Sequence, residues 1–241
     1  MASQTSLSVV VPAYNEEHRL PSTLDRIARY LAGQGRLLPT EIVVVDDGST
    51  DGTSGVVEAF RPPQGIEVRL VRLGSNRGKG AGVRAGLAAS RGSRVLISDA
   101  DLSSPIEEIE ALLACGADVA VGSRGVRREL IGRHQPLVRD TMGRIFNLAL
   151  RMMGLTRFRD TQCGFKLLDG ELARRLAGTM RLDGFAFDVE MLARAQRLGV
   201  TIAEVPVRWY HVDASRVRPL RHGLQMLRDA LRVRLWLWLG R

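Results

Sequence analysis

The first 120 residues alternate short β-branched runs with helical stretches, and that alternation constrains the fold more than any other feature. Leu7 to Val11, Glu41 to Val45, Val68 to Leu73, Arg94 to Ser98 and Asp118 to Gly122 read as strands. Their near-continuous apolar content suits strands covered on both faces, as in parallel sheets. Between them, Ser22 to Leu31, Thr53 to Phe60, Ala81 to Ser90 and Ile106 to Cys115 read as helices. Strands alternating with helices predict a parallel sheet with right-handed crossovers. Ligands bind such sheets beyond the carboxyl ends of the strands. Three polar clusters fall there: Tyr14-Asn15-Glu16, Asp46-Asp47-Gly48 and Asp99-Ala100-Asp101.

Each cluster has a functional and a plain reading. Asp99 and Asp101, one residue apart at a strand end, can hold a hard divalent cation such as Mg²⁺ or Mn²⁺ through oxygen ligands. The cation would neutralise a diphosphate leaving group. The plain reading is a surface turn with Asp101 capping the helix near Pro105. Asp46 to Asp51 is either a turn that caps the helix at Thr53 or a carboxylate pair that selects a nucleobase. Asn76 to Gly82 is a Gly-rich loop opening a helix, suited to seat phosphate on helix N–H groups with Lys79 as a point charge. It lacks the spacing of a P-loop or a dinucleotide fingerprint, so ATPase and dehydrogenase chemistry do not fit.

Beyond residue 122, Gly125 to Gln135 is Arg-rich without a period and predicts a mobile loop. Val138 to Met153 is an amphipathic helix, and Asp160 to Leu168 and Phe185 to Leu198 bracket further short elements. Val205 to Trp209 reads as a last strand and Leu220 to Leu239 as a long helix. No repeat and no linker separates two domains.

Composition narrows the function classes. The net charge is +9 at pH 7 with a pI near 10.8, and Lys79 and Lys166 are the only lysines. Such charge attracts phosphates, anionic lipid or nucleic acid. A non-catalytic nucleic-acid-binding module is a reading from charge alone, and the acidic strand ends argue against it. Cys115 and Cys163 stand in no metal-ligand spacing, which fits a reducing compartment. The N-terminus lacks a signal-peptide pattern, and no apolar run approaches the ~20 residues of a membrane span. A cytoplasmic or peripheral protein is expected.

"VVVPAYNEE", "VVVDDGSTD", "NRGKGAGVRAGL" and "ISDADLSSP", in that order, resemble the inverting family-2 glycosyltransferases with the GT-A fold. "GSR" at Gly122 to Arg124, "DTQCGFKL" at Asp160 to Leu167, "FAFDVEML" at Phe185 to Leu192 and "EVPVRWYHVDASR" at Glu204 to Arg216 are similar to dolichyl- and polyprenyl-phosphate sugar synthases, nearer the glucosyl branch than the mannosyl one. The chain departs from them in lacking a flanking membrane span and in carrying Ala214-Ser215-Arg216 in place of Gly-Ser-Lys.

The resemblance implies an α/β GT-A fold, a mostly parallel Rossmann-like sheet flanked by helices. It implies a glycosyltransferase domain over 1–215, with a nucleotide-binding half to 122 and an acceptor half from 123, and a basic amphipathic helix over 216–241. Pro12, Ala13, Tyr14, Glu16, Asp46 or Asp47, Lys79, Asp99, Ala100 and Asp101 would hold a UDP-sugar, with Asp99 and Asp101 on the metal. Arg124, Arg139 and Arg216 would clamp the phosphate of a polyprenyl-phosphate acceptor. In so Arg-rich a chain, solvated surface charge is the competing reading for all three. Asp160 and Glu190 join Asp101 and Arg124 as catalytic candidates, in contact with the sugar or orienting an arginine, and Asp188 is either a further one or a helix cap. The transferred sugar would be glucose or an N-acetylhexosamine such as GalNAc; GDP-mannose donation and a hydroxyl acceptor are the alternatives.

Acceptor chemistry favours phosphate over hydroxyl. A hydroxyl needs a general base, whereas a phosphomonoester with a second pKa near about 6 is already an anionic nucleophile. The sequence offers arginines and no His–carboxylate pair; His134 and His211 read as incidental. The last helix carries Leu220, Leu224, Leu227, Leu231 and Leu235 on one stripe, Arg221, Arg228 and Arg232 opposite, and Trp236 and Trp238 near its end. That suits an interfacial helix at the inner face of the cell membrane. Packing of the stripe on the domain, or a homo-oligomer contact, is the competing reading.

Overall fold

The computed structural model describes residues 5–133, 136–212 and 219–240. The chain begins β1 (Leu7–Ala13), α1 (Leu20–Ala32), β2 (Thr40–Asp46), α2 (Thr53–Ala59), β3 (Ile66–Arg72), α3 (Lys79–Ala89) and β4 (Arg94–Ile97). It continues α4 (Ile109–Ala114), β5 (Val119–Ser123), β6 (Ile131–Arg133), α5 (Leu137–Met152), β7 (Lys166–Asp169), α6 (Gly170–Thr179) and α7 (Phe187–Arg197). It closes with β8 (Ile202–Pro206), β9 (Trp209–Tyr210) and α8 (Pro219–Trp238).

Seven strands form one sheet in the order β3-β2-β1-β4-β7-β5-β8. All neighbours are parallel except β7, which runs antiparallel to both β4 and β5. Every residue of β2 is buried, as a strand covered on both faces requires. One core packs β1, β2 and β4 against α1 and α4. A second fills the opposite face with α3, α6 and α7. Pro12 lies inside β1 rather than ending it. Pairing with β4 has stopped at Val10, so the proline's missing N–H faces the side where no ladder remains.

The Arg-rich segment departs from expectation. Ile131–Arg133 is a strand, parallel to β9 in a small second sheet, so this part of the expected loop is pinned; His134 and Gln135 lie outside the described residues. The expected strand over Val205 to Trp209 is likewise two strands, β8 and β9, in different sheets.

A third core joins α5, α7 and α8 through Leu150, Val189, Ala193, Met226, Ala230 and Val233. The side of α8 that packs is therefore Met226-Ala230-Val233. The described leucines of the stripe, Leu224, Leu227, Leu231 and Leu235, are exposed and do not pack on the domain; the side chains of Leu220 and Arg221 lie outside the described residues. Leu137, Val138, Ile145, Leu148 and Met152 of α5, a helix in contact with α8, are exposed as well. Among the described residues no helix is long and apolar enough to cross a membrane.

Candidate active site

The carboxyl ends of β1, β2 and β4 open on a cavity of about 620 Å³. Pro12, Ala13, Tyr14 and Glu16 line it after β1, Asp47 after β2, and Asp99, Ala100 and Asp101 after β4. The turn after β1 is tied to the one after β2. Asn15 N–H donates to Ser49 Oγ at 2.8 Å, Thr50 N–H to Asn15 Oδ1 at 2.8 Å, and Glu16 N–H to Thr53 Oγ1 at 2.8 Å.

The two adjacent aspartates divide their work. Asp46 turns away from the cavity and accepts from Ser49 N–H at 2.8 Å and Ser54 Oγ at 2.5 Å, so it holds the turn. Of the pair expected to meet the nucleoside, the structure brings Asp47 to the cavity and not Asp46. Asp47 accepts from Arg77 N–H and Gly78 N–H, both at 2.8 Å. Burial raises its pKa, and these two bonds offset only part of that.

The Gly-rich loop also departs from expectation. Arg77 and Gly78 give their amides to Asp47, while Gly80 N–H and Ala81 N–H donate to Asp183 O at 2.8 and 3.3 Å. These four N–H groups are spent on the protein, and Asn76, Gly78 and Lys79 are the loop residues that line the cavity. Lys79 Nζ lies 2.5 Å from Asp99 Oδ1. Burial works against its charge, but Asp99, Asp188 and Asp101 prevail and hold its pKa above the ordinary value.

Asp101 does not cap the helix near Pro105; its Oδ1 accepts Ser103 N–H at 2.9 Å within the turn. Asp99 rests against Gly164, where a Cβ would come within 2.1–2.5 Å of the carboxylate. Among the described residues no three acidic, histidine or cysteine side chains cluster tightly enough to hold a metal alone. Two carboxylates fit a hard cation that takes its remaining ligands from phosphate oxygens and water, the usual way Mg²⁺ is held.

Arg124, at the end of β5, forms the other wall with Trp209. Asp160 receives Arg124 Nε at 2.6 Å and Nη2 at 2.8 Å, and Trp209 lies 5.2 Å from the guanidinium. Burial pushes the Asp160 carboxyl up, but Arg124 outweighs it and holds the pKa at about 2. Burial likewise disfavours the Arg124 charge, and Asp160 reverses that, raising its pKa. Asp160 N–H in turn donates to Glu204 at 2.8 Å.

Of two helical carboxylates, only Asp188 lines the cavity. Glu190 lies outside the cavity, fully buried, and accepts from Arg181 N–H, Leu182 N–H and Arg194. It orients an arginine, one of the two roles expected of it, holds a loop, and does not line the cavity. Asp188 does line the cavity and is no helix cap; Ala186 stands at that position. It pairs with fully buried Lys166 at 2.5 Å, and burial keeps its pKa raised despite Lys166 and Lys79. Of the other two phosphate-clamp candidates, Arg139 lies on α5 with its side chain outside the described residues, and Arg216 lies outside them altogether.

Arg19, Gly164 and Lys166 carry no expectation from sequence, and His211 reads there as incidental. His211 lines the cavity beside Trp209, with ring centroids 5.9 Å apart. Lys166 carried a readable signal: only two of the 35 basic Lys and Arg residues are lysine, and both pair with carboxylates that line the cavity.

A doubly wound sheet with paired acids at its strand ends, and one antiparallel strand let into its middle, defines a glycosyltransferase of the GT-A class. Residues 8–175 match the profile of glycosyl transferase family 2, and the chain belongs to that family. The dolichyl-phosphate β-glucosyltransferase of Dictyostelium discoideum is 36% identical over 97% of this chain and 75% of its own. The human enzyme of that name is 37% identical over 95% and 75%. The fold also matches glucosyl-3-phosphoglycerate synthase from Mycobacterium tuberculosis in complex with Mn²⁺, UDP-glucose and phosphoglyceric acid. That match has a TM-score of 0.62 and 26% identity, over 95% of this chain and 79% of that one.

Proposed function

We propose that the protein transfers glucose from UDP-glucose to a polyprenyl phosphate at a membrane surface, with inversion at the anomeric carbon. One observation carries this reading: a single cavity has the Asp99–Asp101 acids on one wall and Arg124, held from behind by Asp160, on another. The first suits a nucleoside diphosphate with its cation, the second a phosphate acceptor. The names of the family-2 relatives point to the same donor sugar and acceptor class.

Asp99 and Asp101 would hold Mg²⁺ or Mn²⁺, which when bound neutralises charge on the leaving diphosphate. Asp47 fixes the loop that carries Lys79 and faces the nucleoside end. Arg124, locked by Asp160 and packed on Trp209, presents its remaining N–H groups to the acceptor phosphate, for which a guanidinium is suited. An acceptor oxygen attacks C1 of the sugar as the C1–O bond to the diphosphate breaks, and the diphosphate leaves with the electron pair. The acceptor is already an anion, so no side chain has to remove its proton.

The apolar outer faces of α5 and α8 support membrane docking. Leu137 is 83% exposed and Trp238 80%, with Arg144, Arg151, Arg228 and Arg232 exposed on the same helices. The inner faces of those helices line the cavity through Met142, Phe146 and Met226. A bilayer against the outer faces would leave a lipid phosphate close to Arg124.

The test is incubation of the purified protein with Mn²⁺, a panel of UDP-sugars and GDP-mannose, and either polyprenyl phosphate in vesicles or 3-phosphoglycerate. Product from UDP-glucose and lipid phosphate is expected. UDP-N-acetylgalactosamine outperforming UDP-glucose would reassign the sugar, product from GDP-mannose alone would overturn the donor, and product with 3-phosphoglycerate alone would overturn the acceptor.

A further inference from the structure

Both lysines of the chain belong to one charge network. Lys79 Nζ is 2.5 Å from Asp99 Oδ1, and Lys166 Nζ is 2.5 Å from Asp188 Oδ1. Asp188 and Asp101 also attract Lys79 at longer range. The Lys79 side chain is a quarter exposed and lines the cavity. A divalent ion at Asp99 would meet an ammonium already beside one oxygen of the carboxylate, and a cation so close repels it.

The two partners differ in their freedom to move. Asp99 is backed by Gly164, so its carboxylate is confined on that side. Lys79 sits on a flexible four-carbon stem at the first residue of α3 and can swing its charge within the cavity. An arginine here would grip the carboxylate with a planar fork instead of a single rotatable point charge.

We infer that Lys79 is a built-in counter-ion of Asp99 that exchanges with the divalent cation when a nucleoside diphosphate draws its ammonium away. The protein then takes up cation and diphosphate together and binds the cation alone poorly. The inference rests on the assignment of the cation to Asp99, which can stand while the exchange fails.

Mn²⁺ binding to the full chain, followed by loss of the free-ion electron paramagnetic resonance signal with and without UDP, tests it. The native protein should bind Mn²⁺ weakly alone and at least about tenfold more tightly with UDP. Lys79→Met and Lys79→Gln should both bind Mn²⁺ alone about tenfold more tightly than the native protein and lose most of the effect of UDP. Two lysine variants, each shown to melt cooperatively, that match the native protein for Mn²⁺ alone or bind it more weakly would overturn the exchange. Asp99→Asn should bind no Mn²⁺ in either condition. Native-like binding by that variant would move the cation away from Asp99 and take the exchange with it.

Discussion

Replacing Asp160 by Asn removes the charge that locks Arg124 and keeps the side-chain shape. Asp160 is buried and accepts Arg124 Nε, Nη2 and backbone N–H at 2.6, 2.8 and 3.1 Å, and Gln162 N–H at 3.1 Å. Its pKa falls from 3.8 to about 2, which corresponds to roughly 2 to 3 kcal/mol of stabilisation of the ionised form. Breaking a buried pair from one side costs about 3 to 5 kcal/mol, so a loss near ~3 kcal/mol is expected. For a chain of this size that lowers the melting temperature by about 6–12 °C. The native pKa lies below the unfolded one, so this stabilisation is complete above about pH 4 and disappears as pH falls through about 2. Asp160→Asn should flatten that part of the stability–pH curve. Calorimetry of the native protein, Asp160→Asn, Arg124→Met and the double variant closes the cycle, with a coupling of at least ~2 kcal/mol expected. A melting temperature within about 2 °C of native for Asp160→Asn, or strictly additive single variants, would refute the clamp.

Four further outcomes are expected. Gly164→Ala pushes a methyl group into the Asp99 carboxylate; the fold should persist while the tightening of UDP binding by Mn²⁺, measured calorimetrically, falls at least about tenfold. Lys166→Met leaves Asp188 buried without its cation and should cost about 3 to 5 kcal/mol in denaturant unfolding, with part recovered on adding Asp188→Asn; native-like unfolding would contradict the pairing. Glu190→Gln weakens charge-assisted bonds to Arg181 and Leu182 N–H, and hydrogen exchange at those two amides should accelerate by at least about tenfold. Leu224→Asp with Leu231→Asp should reduce co-sedimentation with anionic vesicles and leave the melting temperature unchanged, because both residues are exposed; unchanged co-sedimentation would remove α8 from the membrane contact.

The parallel strands were legible because burial on both faces forces a continuous apolar run, as in Ile42 to Val45. The direction of β7 was not, since four residues reading KLLD carry no mark of orientation and β4 and β5 decide it together. Helix α6 had a local signal that went unread: Asp169 caps it by accepting Glu171 and Leu172 N–H. The acids after β1 and β4 reached the cavity as their strand-end positions required. Which of Asp46 and Asp47 faces it depends on Ser54, Arg77 and Gly78, partners up to 31 residues away. Asp188 and Glu190 are two residues apart on a helix and so about 200° apart around its axis. Only one could face the cavity, and sequence alone favoured the other. The Gly-rich loop misled because its amides, free in any local reading, are bound by the Asp47 carboxylate about 30 positions earlier and by the Asp183 carbonyl more than 100 positions later.

The reversed strand also sets a timetable for synthesis. Residues 1–165 emerge with β4 and β5 unable to pair with each other, because the strand that belongs between them has not yet been made. When β7 enters, it closes both open ladders at once and carries Gly164 against Asp99 and Asp160 towards Arg124. Asp99 thus meets its Gly164 backing, and Arg124 its partner Asp160, in one late event. A ribosome-bound chain that stops before it exposes three unpaired strand edges, one of β4 and both of β5, the surface a chaperone would have to shield.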